Sequence, residues 1–135
     1  MGHVEPKVWD QVMAVNVTAN WRLIRSMDPL LRQSEAGRAI FVASTVGAEA
    51  RAYWAAYAVS KAALEMMTRT YAAEMETTSV RANLINPGAT RTGMRAQAMP
   101  GEDAASVKPP EDVTETFVQL AESTCDLNGA IVDCR

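Results

Sequence analysis

Histidine occurs once in this chain, at His3, too few imidazoles for a histidine-based catalytic pair or a histidine metal site. Cysteine occurs twice, at Cys125 and Cys134, with no metal-ligand spacing, so no metal site is expected and both thiols should be free in a reducing compartment. No apolar run approaches the ~18 to 20 residues of a membrane-spanning helix. The opening Met1-Gly2-His3-Val4-Glu5-Pro6 lacks the basic and apolar regions of a secretory signal. Basic residues are outnumbered, 13 against 16 acids for a net charge of -3, and the arginines are scattered, which excludes a nucleic-acid footprint. The seven glycines, at 2, 37, 47, 88, 93, 101 and 129, are nowhere clustered as the G-x-x-x-G-x-G of a phosphate-cradling turn. These absences leave a cytoplasmic globular chain with no membrane, nucleic-acid or metal partner as the expectation.

What is present supports a packed core, with 48% hydrophobic residues dispersed over 135 positions. Apolar residues recur with helical period from Pro6 to about Gln33, through Trp9, Val12, Met13, Leu23, Ile24, Leu30 and Leu31. Pro6 suits a first turn, and Pro29 is expected to kink or break the helix near Asp28. Arg38 to Ser44 reads as a short buried strand, Tyr53 to Met75 as a long alanine-rich helix, and Val80 to Asn86 as a second strand stopped by Pro87-Gly88. Residues 89–108 show no clear period. Pro110-Glu111-Asp112 opens a helix running to about Ser123, and Ala130 to Asp133 is a last short strand after the Asn128-Gly129 turn. Alternating helices and strands imply parallel strands joined by helical crossovers. Three strands are few for such a sheet, and the edge at the strand ending in Ser44 should lack a neighbour.

Ligands of open parallel sheets bind beyond the carboxyl ends of the strands, where Ser44 and Asn86-Pro87-Gly88 both lie. Thirteen residues after Ser44 stands Tyr57, with Lys61 at i+4 on the same helix face. Tyr53 and Tyr71 have no such lysine. A free phenol is too weakly acidic for proton transfer at neutral pH, and a nearby cation favours the phenolate. Tyrosine, lysine and serine in one pocket could therefore exchange a proton with a substrate oxygen. Asn16 is polar on an otherwise apolar helix stripe, as a kinking or core-bonding asparagine would be, and that need not exclude a functional role.

Taken in order, Asn16, Ser44-Thr45-Val46-Gly47, Tyr57-x-x-x-Lys61 and Asn86-Pro87-Gly88-x-x-x-Thr92 resemble the carboxyl-terminal catalytic half of the short-chain dehydrogenase/reductase family, across nearly the whole chain. Thr90-Arg91-Thr92-Gly93-Met94-Arg95-Ala96, followed by Pro100-x-Glu102-Asp103, is most similar to a YciK-like bacterial branch. The resemblance implies an α/β fold: a partial Rossmann-like, doubly wound parallel sheet of about three strands with flanking helices, its amino-terminal βαβαβ half missing. Residues 1–135 would be the carboxyl-terminal half of one domain.

The same resemblance implies an NAD(P)-dependent oxidoreductase interconverting a small-molecule carbonyl and alcohol. Tyr57 would be the general acid/base, Ser44 would hold the substrate oxygen, and Asn16 would hold a water linking Lys61 to solvent. Lys61 would lower the Tyr57 pKa and bind the nicotinamide ribose. Pro87, Gly88, Thr90 and Thr92 would approach the nicotinamide of NAD or NADP, and residues 93–108 would form a mobile loop over the substrate. The chain alone would be inactive, lacking the Gly-rich turn. A homo-oligomer is expected through helices 6–33 and 53–75, with Ala55, Ala58, Ala62 and Ala63 permitting close approach. The competing reading is a non-catalytic remnant that uses that face as an interaction module.

Overall fold

The computed structural model of the chain describes residues 1–134. Helix α1 (Pro6–Met13) begins with Pro6 in the first turn, where its missing N–H is not needed. It continues through a π-helical turn, Ala14–Thr18, into α2 (Ala19–Gln33). Strand β1 (Arg38–Val42), a 3₁₀ turn (Thr45–Gly47), α3 (Ala55–Glu74) and β2 (Arg81–Asn86) follow. Then come α4 (Gly93–Ala98), 3₁₀ turns at Ala104–Ser106 and Pro110–Val113, α5 (Thr114–Ala121) and β3 (Ile131–Asp133).

The strands form one parallel sheet in the order β1-β2-β3, with Arg38 opposite Arg81, Val42 opposite Ile85 and Leu84 opposite Ile131. Alternation along the strands supplies two faces. On one, Phe41, Ala43 and Leu84 pack with Leu64 of α3, with Ile24 of α2 and Ala39 against them. Tyr71, Ala72, Met75, Val80 and Ala82 extend that layer, flanked by Ile24 and Leu31. On the other, Ile85 packs with Leu120 of α5 and Cys134, and Ile40, Phe117 and Val132 close around them. Helices on both faces bury the parallel sheet as its backbone polarity requires. Both cysteines are free thiols. Among the described residues, no helix is long and apolar enough to cross a membrane.

Five expectations change. Pro29 lies inside α2, which continues to Gln33. The carbonyl that loses its partner is that of Arg25, and Arg25, Ser26 and Met27 are exposed, so it is left on the solvent side. The first helix is instead interrupted at the π turn around Asn16. Tyr53 is excluded from α3: its φ of 69° is left-handed, and the helix starts two residues later. The unpatterned 89–108 segment holds a short helix, because the Thr92 hydroxyl accepts from the Arg95 N–H at 3.2 Å and caps α4. Ala55 is buried within the chain at 9% exposure, so it cannot form part of an outer helix face. Strand β1 ends at Val42, leaving Ser44 in the loop two residues beyond it.

Candidate active site

The cleft at the carboxyl ends of β1 and β2 has a volume of about 1110 Å³. Ser44, Tyr57, Lys61, Pro87, Gly88, Thr90 and Thr92 all line it. Residues 48 positions apart in sequence meet there because parallel strands present their carboxyl-end loops side by side.

Ser44 is placed by β1. The Ala43 N–H still pairs with the Ile85 carbonyl at 2.7 Å, and Ser44 then stays extended at φ -160°. Its carbonyl accepts from the Gly47 N–H at 2.8 Å and starts the 3₁₀ turn. That turn sits directly on α3. A Cβ added at Gly47 would lie 3.2 Å from the Lys61 carbonyl carbon and 3.3 Å from the Ala62 nitrogen. Both contacts are with helix backbone, which yields little. Gly47 thus sets the separation between the Ser44 loop and the turn of α3 bearing Tyr57 and Lys61. Gly47→Ala should destabilise the chain by about 1 kcal/mol, at the low end for overpacking, seen as a lower urea midpoint with unchanged m.

Tyr57 and Lys61 occupy the first two turns of α3. The Lys61 ammonium lies 5.6 Å from the centroid of the Tyr57 ring and donates to the Val42 carbonyl at 2.8 Å. The i,i+4 proximity is therefore realised, and the end of β1 shares the cation. Burial lowers the Lys61 pKa below the ordinary lysine value. The other tyrosines differ in kind. Tyr71 is 4% exposed, and its hydroxyl donates to Asp28 Oδ1 at 2.9 Å. Burial first, then the Asp28 hydrogen bond and its negative charge, push that phenol up to about 12. Tyr53 is exposed and carries no lysine partner.

Asn16 does not line the cleft; it lies behind α3. Its Nδ2 donates to Ser60 Oγ at 3.0 Å, and Ser60 Oγ donates to the Tyr57 carbonyl at 2.7 Å. Ser60 is fully buried, so these bonds tie the π turn to the helical turn bearing Tyr57. A π turn frees a backbone carbonyl from its usual i+4 partner. The Asn16 carbonyl accepts from Asn20 Nδ2 at 2.9 Å, and its second lone pair has capacity for another donor.

Gly88 adopts φ 65°, where a side chain would be strained, and a Cβ there would meet only Lys108 Nζ, at 3.8 Å. The backbone can therefore approach a flat ligand closely. Thr90 Oγ1 donates to the Pro87 carbonyl at 3.3 Å, folding the turn back on itself. Lys108 returns beside this loop: residues 90 and 108 form a parallel bridge, and the Arg91 N–H donates to the Lys108 carbonyl at 2.8 Å. Both ends of the intervening segment are thus pinned together. Within it, Arg95 makes a two-point contact with Glu102 at 2.7 and 2.6 Å. The guanidinium hydrogen bonds hold the Glu102 carboxyl below the ordinary carboxylate range, so this clasp persists at neutral pH and releases only as pH falls through that lowered value.

Sequence reasoning gave several residues here no role of their own. Asn86 joins three strand ends, donating to Thr45 Oγ1 at 3.2 Å and Asp133 Oδ1 at 2.7 Å while accepting from the Gly88 N–H at 3.3 Å. Its place in Asn86-Pro87-Gly88 put it at a strand end, but its partners at the other two strand ends carry no local signal. Ser60 stands beside Lys61 but reads as helix filler, and the partners of Lys108 lie too far along the chain for any local signal.

The sequence model of the short chain dehydrogenase family matches residues 1–103. The chain is 45% identical over 120 residues to an uncharacterized oxidoreductase, YciK, of Escherichia coli, covering 89% of this chain and 47% of that protein. Its fold superposes on a short chain dehydrogenase from Salmonella enterica serovar Typhi with a TM-score of 0.96 and 41% identity, over 100% of this chain and 56% of that one. A short chain dehydrogenase from Escherichia coli solved in complex with NADPH gives a TM-score of 0.94 at 41% identity, over 100% and 56% of the two chains. The chain thus spans about half the length of the relatives it matches. With three parallel strands, helices on both faces and this match over most of its length, the chain belongs to the short-chain dehydrogenase/reductase family and has a partial Rossmann-like fold.

Proposed function

We propose that this chain is the carboxyl-terminal, catalytic half of a nicotinamide-dependent oxidoreductase that interconverts a carbonyl and an alcohol. The convergence of Ser44, Tyr57 and Lys61 on one cleft, beside the open Gly88 turn, carries the reading. These residues fit the nicotinamide end of a dinucleotide: Gly88 clears room for a flat ring, Thr90 and Thr92 offer hydroxyls, and Lys61 offers an ammonium to ribose oxygens. When bound, the cofactor supplies or accepts the hydride.

The chain's own groups handle the proton. In reduction, Tyr57 gives its hydroxyl proton to the substrate oxygen while the carbonyl carbon gains hydride, yielding the alcohol and the oxidised dinucleotide. Ser44 donates to the same oxygen and fixes it. Lys61 returns a proton to Tyr57, a water held by the Asn16 carbonyl of the π turn links it to solvent, and the Asn16 side chain, through Ser60, holds the turn that bears Tyr57. Oxidation runs the same path backwards. NADPH is the first dinucleotide to try, because a 41%-identical relative is complexed with it.

Lys61 gives the test. Lys61→Met, in a version joined to a dinucleotide-binding half, should lower turnover about a hundredfold and weaken dinucleotide binding. Stability should move the other way. The lowered pKa means that folding disfavours the charged lysine, a cost present at neutral pH and relieved as pH rises through the folded pKa toward 10.5. The variant should therefore be no less stable than the parent at pH 7, and the difference should narrow at alkaline pH. Loss of activity through unfolding would contradict the role.

A second copy is the proposed protein partner. Leu23, Met27 and Leu30 on α2 and Val59 and Met66 on α3 are exposed. Burying several hundred Å² of such surface contributes ~25 cal/mol per Å² before association costs. Sedimentation velocity over a concentration series should show a dimer emerging, and a monomer throughout would exclude it.

A further inference from the structure

Tyr53 is the one non-glycine residue with positive φ among the described residues, at 69°, and it is 86% exposed. Left-handed backbone costs an L-residue roughly 1–2 kcal/mol, and a bulky aromatic is an unusual choice there. Packing does not account for it, since the side chain is almost wholly in solvent. Among the described residues its ring contacts one other, that of His3, at 5.8 Å and tilted by 50°. The next residue, Trp54, caps α3 and lies 5.9 Å from the Tyr57 ring at 58°. His3, Tyr53, Trp54 and Tyr57 all line the cleft, so two ring pairs from adjacent residues form an aromatic part of its wall beside Tyr57.

The lining also has a soft apolar part, with Met94, Ala98 and Met99 on or next to α4. Thioethers and ring faces favour planar π systems over saturated chains or polyols. Glu5 is the one acid among the described lining residues, whereas Arg51, Lys61 and Arg95 are cationic, Arg95 being paired with Glu102, so the cleft suits a neutral or anionic guest and disfavours a cation. Strain retained at an exposed residue beside a candidate active site calls for a functional account.

We infer that Tyr53 is a specificity-determining residue, and that the substrate is an aromatic carbonyl compound whose ring lies along Tyr53 and Trp54 with its oxygen at Tyr57 and Ser44. The assignment of a carbonyl substrate rests on the function proposed above. The aromatic preference rests on the wall itself and needs neither cofactor nor turnover to be measured.

Acetophenone and cyclohexyl methyl ketone are suitable probes, sharing a methyl ketone and differing in the ring. Calorimetric titration of the chain should give acetophenone about tenfold the affinity of the saturated ketone. Tyr53→Ala and Tyr53→Gly should weaken acetophenone about tenfold and leave cyclohexyl methyl ketone unchanged, while Tyr53→Phe retains binding. Tyr53→Gly, which accepts positive φ, should also raise Tm by about 2–5 °C. A rise in Tm together with loss of the aromatic ligand is not what a structural tyrosine would give. Equal affinity for the two ketones, acetophenone affinity indifferent to the loss of the Tyr53 ring, or a lower Tm for Tyr53→Gly would each overturn the inference. Retained turnover in Tyr57→Phe would instead overturn the oxidoreductase reading and leave the aromatic site standing.

Discussion

Replacing Tyr57 with phenylalanine is expected to cut turnover by about 10²- to 10⁴-fold in a version of the protein joined to a dinucleotide-binding half, with Tyr53→Phe close to the parent rate. The three tyrosines are chemically separated by their surroundings. Tyr71 has its hydroxyl committed to Asp28 and its pKa pushed up to about 12, so it resists giving up a proton. Tyr53 stands at the cleft mouth without a cation. Only Tyr57 has a lysine ammonium beside its ring and a serine in the same cleft. Tyr71→Phe should cost about 1 kcal/mol through the lost bond to Asp28, while its rate per folded molecule is retained. Steady-state rates normalised to folded fraction distinguish the two effects. Near-parent turnover for Tyr57→Phe would remove the tyrosine from the chemistry.

Much of this arrangement is legible in the sequence because it depends on local rules. The i,i+4 spacing of Tyr57 and Lys61 becomes a real neighbour relation on α3, and the apolar run from Arg38 becomes β1. The link between the two is less legible. Gly47 brings the Ser44 loop onto α3 through a contact between segments fourteen residues apart, visible only as backbone distances. Asn16 shows how a correct suspicion can lack its physical partner. Its polarity on an apolar stripe signals a disturbed helix, but neither the bond to Ser60 nor the Asn20 amide at its carbonyl follows from periodicity. Pro29 fails in the opposite way. A local rule predicts a break, and the solvent side of α2 makes the missing hydrogen bond tolerable.

The chain by itself is expected to bind NADPH and NADH at least about a thousandfold more weakly than a protein that also supplies a pyrophosphate site. In the proposed function, Lys61, Gly88, Thr90 and Thr92, which all line the cleft, would be partners for the nicotinamide end of the molecule only. Pyrophosphate recognition in doubly wound folds depends on a Gly-rich turn whose backbone N–H groups and helix N-terminus face the charges. The seven glycines here form no such turn. Of those that adopt positive φ, Gly88 lies in the turn after β2 and Gly129 ends the connection into β3. Two phosphate charges and the adenosine are thus without matched groups, and losing even ~4 kcal/mol corresponds to about a thousandfold in Kd. Calorimetry, with Trp54 fluorescence as a second signal because that ring lines the cleft, measures this directly. Joining the chain to the amino-terminal half of a relative should restore the affinity, and the same titration should then respond to Lys61→Met. Micromolar dinucleotide binding by the chain alone, with turnover, would mean that another surface of these 135 residues holds the phosphates, and the half-site account would have to be abandoned.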